Sequence, residues 1–124
     1  MRNFRALKVW EKSHGLVLAV YDATRTFPRE ETYGLTAQLR RGCASIPANI
    51  AEGCGRGSEA ELGRFMLIAM GSSSELEYHL LLARDLGYLS AQDYRELSQR
   101  TGEVKRMLSA LIVKIRPVNN QHKY

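Results

Sequence analysis

Proline, cysteine and tryptophan are scarce, with three, two and one in 124 residues. So few prolines leave long stretches free to be helical, and no run alternates apolar and polar residues as a half-buried strand would. No apolar run approaches the ~18 residues of a membrane span. The opening Met1-Arg2-Asn3-Phe4-Arg5 has no signal-peptide core, so neither insertion nor secretion is suggested and a cytoplasmic protein is expected. Cys43 and Cys54 fall on one helical stretch ~16 Å apart, beyond disulfide reach, and no Cys-x-x-Cys or Cys/His spacing suggests zinc. Gly-x-Ser-x-Gly, a phosphate-binding loop and a Rossmann fingerprint are absent, as are repeats and low-complexity segments.

What is present is a chain the size of one domain, 44% hydrophobic and 25% charged, as soluble globular proteins are. The expected division is a bundle over residues 1–116 and a flexible polar tail over 117–124, beginning at Arg116-Pro117. The net charge is +5, and 13 of the 18 basic residues are arginine. Arginine presents a planar fork to phosphate, so the bias points weakly towards an anionic polymer.

Four stretches carry apolar residues at alternating spacings of three and four. Helix one is read from about Leu7 to Phe27, with a seam of Leu7, Trp10, His14, Val17, Tyr21 and Thr24 and a second set of Val9, Leu16, Val20 and Phe27 beside it. Leu16 to Tyr21 is apolar on every side, which suggests self-association through Leu16, Leu18 or Val20. Helix three starts at the capping box Ser58-Glu59-Ala60-Glu61 and continues through Leu62, Met66, Ala69, Ser73, Leu76, Leu80 and Ala83. Its Gly71-Ser72-Ser73-Ser74 run removes bulk and is expected to admit a neighbouring backbone. Gly87-Tyr88-Leu89 makes a turn, and helix four follows with Tyr94, Leu97, Thr101, Val104, Leu108, Leu111 and Ile115. Short connections imply an all-α, antiparallel, up-down-up-down four-helix bundle.

The second stretch organises the rest. Leu35, Leu39, Gly42, Ile46, Ile50 and Gly53 line one face, and Pro47 interrupts it. Proline removes the amide that would bond the Cys43 carbonyl and pushes Ile46 from the α region, at about 3 kcal/mol if uncompensated. The period continues regardless, so one helix kinked at Pro47, from about Tyr33 to about Cys54, is preferred to two helices broken at Ile46. Ser45 or Asn49 is expected to satisfy the freed carbonyl. Gly53, Gly55 and Gly57 are read as ending the helix.

Pro28, Glu31, Gly34-Leu35-Thr36, Gln38-Leu39-Arg40-Arg41 and above all Ser45-Ile46-Pro47-Ala48-Asn49-Ile50-Ala51-Glu52-Gly53 resemble the four-helix-bundle proteins encoded by intervening sequences in bacterial large-subunit ribosomal RNA genes. The resemblance extends to Leu7-Lys8-Val9-Trp10, Gly71-Ser72, Glu75-Leu76-Glu77 and Leu86-Gly87-Tyr88-Leu89. Most members have no assigned biochemical role. Relatives include the accessory subunit of diversity-generating retroelements, a basic pentamer that associates with nucleic acid and a reverse transcriptase. The resemblance therefore implies a homo-oligomer, a pentamer in preference to a dimer, with RNA, DNA or a reverse transcriptase as partners. At Gly42 and Cys43 this sequence departs from the usual alanines.

Glu11-Lys12-Ser13-His14 is one Glu-x-x-His unit, but a di-iron bundle needs two such units plus two glutamates at one height. His14 is read instead as a hydrogen-bonded core or interface residue, and neither cofactor nor enzymatic activity is expected. The basic side chains remain. Arg56 in the glycine turn and Arg64 on helix three, beside the Ser58 cap, are the leading phosphate contacts, with the arm of Arg2, Arg5, Lys8 and Lys12 comparable. Arg40 and Arg41 are also candidates, although they are expected to pair with Glu75 and Glu77.

Overall fold

The computed structural model describes residues 2–115. The tail expected over 117–124 lies outside them. Four α-helices carry the chain: α1 Lys8–Ala23, α2 Leu35–Gly55, α3 Glu59–Asp85 and α4 Ala91–Ile115. Short 3-10 turns precede and follow α1 at Phe4–Ala6 and Thr24–Thr26, and a third, Arg29–Glu31, leads into α2.

Sequence neighbours run in opposite directions. The Arg2 amide donates to the Cys54 carbonyl, and Arg40 of early α2 bonds Thr24 beyond the end of α1. Late α2 meets early α3 at Gly53 and Phe65, and Arg84 of late α3 covers Tyr94 of early α4. Lys12 pairs with Glu103, which closes α4 onto α1. Each helix therefore packs between two others around one core of Leu16, Leu39, Ile46, Ile50, Met66, Leu76, Leu80 and Leu108.

The seams of α2 and α3 are buried at every expected position, and α4 buries Leu97, Thr101, Val104 and Leu108. Helix one is the exception. Its core face is Val9, Leu16 and Val20 of the second set together with Ser13, whereas of the first set Thr24 is buried, Trp10 and Val17 are half-buried, and His14 and Tyr21 are exposed. Leu16 and Val20, expected at a subunit interface, are fully buried in the protomer's own core, and only Leu18 of that trio faces solvent.

Pro47 lies inside α2 without ending it. The neighbouring Ile46 and Ile50 are completely buried, and that burial offsets the backbone penalty. Asn49 turns its amide to the Ser45 carbonyl (2.8 Å) and hydroxyl (3.1 Å) rather than to Cys43. Ser45 meets Ser72 of α3 at 2.7 Å, hydroxyl to hydroxyl. The close approach of α2 and α3 is at Gly53, which is inside the helix: a Cβ there would sit 2.9 Å from Phe65 Cβ. Of the Gly71-Ser72-Ser73-Ser74 run expected to admit a neighbouring backbone, Ser72 meets α2 at Ser45 and Ser73 is buried, whereas Gly71 is exposed with open space where a Cβ would be.

Caps define the turns. Ser58 Oγ accepts the Glu61 amide and Ser90 Oγ the Asp93 amide. At the end of α3 the Tyr88 amide bonds Ala83 O and the Gly87 amide bonds Arg84 O, with Gly87 at φ +83°. That paired pattern requires a left-handed residue, and glycine supplies it without steric cost.

Candidate nucleic-acid interface

Six of the eight candidate cations gather at one end of the bundle, where α1 and α3 begin and α2 and α4 end. Asn3 Oδ1 accepts the Arg5 amide and shapes the first turn, while the Arg2–Cys54 bond ties that turn to α2. Beside it a hollow of about 110 Å³ is lined by Arg2, Cys54, Arg56, Ser58 and Glu59.

The cations there are not free. Arg2 pairs with Glu59 at 3.0 Å, Arg56 with Glu52 at 3.1 Å and Glu61 at 3.9 Å, and Arg64 with Glu61 at 3.1 Å. Hydrogen bonding from Arg64 leads the causes that hold the Glu61 carboxyl below its usual range, and Glu61 in turn raises Arg64. Both arginines also lie over the Phe65 ring, at 5.0 and 4.5 Å from its centroid. Lys8 pairs with Glu11 at 3.5 Å and Lys12 with Glu103 at 3.4 Å. All are solvent-screened surface pairs that contribute little, so a phosphate can compete for their cations. Arg5 lies over Phe4, 4.7 Å from its centroid, with no ion pair among the described residues.

Arg40 and Arg41 do not meet Glu75 and Glu77 as expected. The Arg40 guanidinium donates to Thr24 Oγ1 (2.9 Å) and lies over the Tyr21 ring, while Glu77 takes Lys105 at 2.8 Å. Turn counting set the heights of these residues but not the rotation of α2, which points Arg40 to α1. Arg41 is exposed and has no ion pair among the described residues.

Charge is distributed unevenly along the bundle axis. The half formed by residues 2–13, 48–70 and 102–115 holds nine basic and five acidic side chains, and the half formed by 14–47 and 71–101 holds seven and eight. Arg106 and Lys114 of α4, which sequence reading did not single out, belong to the basic half.

His14 is not in the core. It is exposed and stacks on Trp10, ring centroids 5.1 Å apart and planes 5° from parallel. Among the described residues no group of three or more His, Cys, Asp or Glu side chains could hold a metal. Burial pushes the Cys43 thiol up to about 12 and raises Cys54 as well. No described helix is long and apolar enough to cross a membrane.

Fold and charge together define an all-α antiparallel bundle with one basic end. The chain belongs to the 23S rRNA-intervening sequence protein family, whose model matches residues 5–110. It is similar in fold to a protein of unknown function from the S23 ribosomal protein family of Bacteroides thetaiotaomicron. That crystal structure aligns with a TM-score of 0.78 at 24% identity, over 84% of this chain and 94% of the other. No curated protein matches the sequence.

Proposed function

We propose that this protein is a non-enzymatic, cytoplasmic homo-oligomer that binds RNA or DNA through phosphate contacts. The observation that carries this reading is the basic half of the bundle, where Arg5, Lys8, Lys12, Arg106 and Lys114 join Arg2, Arg56 and Arg64. Assembly repeats that patch once per subunit, and the family resemblance favours a pentamer. Among the described residues, exposed apolar side chains available for assembly include Leu67, Ile68 and Tyr78 of α3, which are 47%, 40% and 57% exposed, and Leu18 of α1. Of the trio expected on α1, Leu16 and Val20 are buried and Leu18 remains exposed.

The test is a salt titration of binding to duplex DNA and to RNA, comparing wild type with Arg5→Ala/Lys8→Ala/Arg106→Ala. Each lost phosphate contact on duplex DNA reduces the slope of log affinity against log salt by about 0.9. Multi-angle light scattering on the same samples gives the assembly state. A second reading, a scaffold bundle without nucleic acid, is favoured by the pairing of Arg2, Arg56 and Arg64 with Glu59, Glu52 and Glu61. A folded oligomer that binds neither polymer at low salt establishes that reading instead.

A further inference from the structure

Part of the α1 seam expected in the core, Trp10, His14 and Tyr21, reaches the surface and forms an aromatic strip with Phe4 and Leu18, with an arginine stacked at each end. Phe4 meets Trp10 edge to face at a 5.0 Å centroid distance, and Trp10 stacks on the exposed His14. Leu18, 59% exposed, and Tyr21, 42% exposed, continue the line. Arg5 covers Phe4 at 4.7 Å and Arg40 covers Tyr21 at 4.6 Å. Neither arginine has an ion pair among the described residues. The acids on the same helix are neutralised beside the strip: Glu11 faces Lys8 at 3.5 Å and Asp22 faces Arg25 at 3.7 Å. An open hollow of about 220 Å³, lined by Arg5, Leu7, Lys8, Trp10 and Glu11, adjoins its first end.

We infer that this strip is a stacking track for single-stranded nucleic acid. Bases lie against the Trp10–His14 stack, and Arg5 and Arg40 take the phosphates at either end. The inference deepens the phosphate-binding reading and rests on it. A duplex keeps its bases stacked on one another and cannot use the rings, whereas an unpaired base offers a π-face whatever its identity. The eleven rises from Trp10 to Tyr21 span ~16 Å, the length of about five nucleotides at the roughly 3.4 Å rise of a stacked strand. The charge at both ends selects a polyanion over an apolar protein segment.

Trp10 is the only tryptophan in the chain. Its fluorescence therefore reports the strip directly. Titrating the full chain with ten-nucleotide single strands of RNA and of DNA should quench it. A duplex of the same length and an abasic deoxyribose-phosphate strand should bind through phosphates without quenching. His14→Ala, at an exposed position, should weaken single-strand binding about 10-fold, the order expected for one lost stacked base, and leave duplex binding and helicity unchanged. Trp10→Leu, followed by the anisotropy of a labelled strand because it has no tryptophan, should do the same, with circular dichroism confirming the fold. Salt-dependent binding of single strands with unchanged tryptophan emission, or equal quenching by the abasic strand, overturns the track and leaves the phosphate reading standing. Absence of all binding overturns both.

Discussion

The Tyr88 hydroxyl donates to Glu31 Oε2 at 3.1 Å, while the other oxygen of that carboxylate accepts the Leu35 amide at 2.9 Å. One side chain thus caps α2 and anchors the turn between α3 and α4. Gly34 leaves room for it, because a Cβ there would lie 2.7 Å from Glu31 Oε1. Glu31, Gly34 and Tyr88 all belong to segments that carry the family resemblance, and this contact gives them a shared physical purpose.

Glu31→Ala removes a cap and should cost about 1 kcal/mol in urea unfolding. Partial burial first, and then the Glu31 carboxylate, hold the Tyr88 phenol above its ordinary value of 10.0. The folded state therefore keeps this proton at pH values where the unfolded chain has released it. That stabilisation is complete below the unfolded value and is lost as pH rises through the folded one. Tyr88→Phe should reduce stability at neutral pH and flatten the alkaline decline, which unfolding curves between neutral pH and pH 11 will measure.

Two glycine substitutions should move stability in opposite directions. Gly53→Ala drives a Cβ to 2.9 Å from Phe65 Cβ and should cost about 1–3 kcal/mol through overpacking. Gly71→Ala adds a methyl in open space within α3 and should gain about 0.5–1 kcal/mol. Thermal melts of the two variants beside wild type decide both.

Leu16→Glu should unfold the protomer, since Leu16 has no exposed surface and a carboxylate there would have no partner. Ile68→Glu, on the outer face of α3, should lower the mass by light scattering with helicity retained. Loss of helical circular dichroism in the second variant but not the first would reverse this assignment.

Cys43, held protonated with a pKa of about 12 and completely buried, should resist thiol reagents at pH 8, as should the buried Cys54. Mass spectrometry should find neither labelled in the native protein and both labelled in denaturant.

The bundle and the inner faces of α2, α3 and α4 were legible because each presents one dominant stripe. Helix one presents two stripes of equal period, and periodicity alone does not choose between Trp10, His14 and Tyr21 on one side and Val9, Leu16 and Val20 on the other. The choice is made by packing: the compact branched set fits the core, and the aromatic set is left at its margin. Arg56 and Arg64 were visible as candidates, and their acidic partners were legible too. Glu52–Arg56 and Glu61–Arg64 stand at the four- and three-residue spacings that bring helical neighbours together. The Phe65 sandwich was not legible, because it depends on α2 and α3 meeting at Gly53.

The Arg2–Cys54 backbone bond acts as a clasp on the α1–α2 hairpin. At the far end the two helices are held by the chain between them, whereas at this end that bond and the Arg2–Glu59 pair tie Arg2 to the bundle beside the packing of Phe4 and Leu7 against the core. Opening the clasp is the first step by which α1 can peel away without global unfolding. Removing the residues ahead of Phe4 should therefore appear first as faster amide exchange along the opening turns of α1, with the α2–α3 pair keeping its protection.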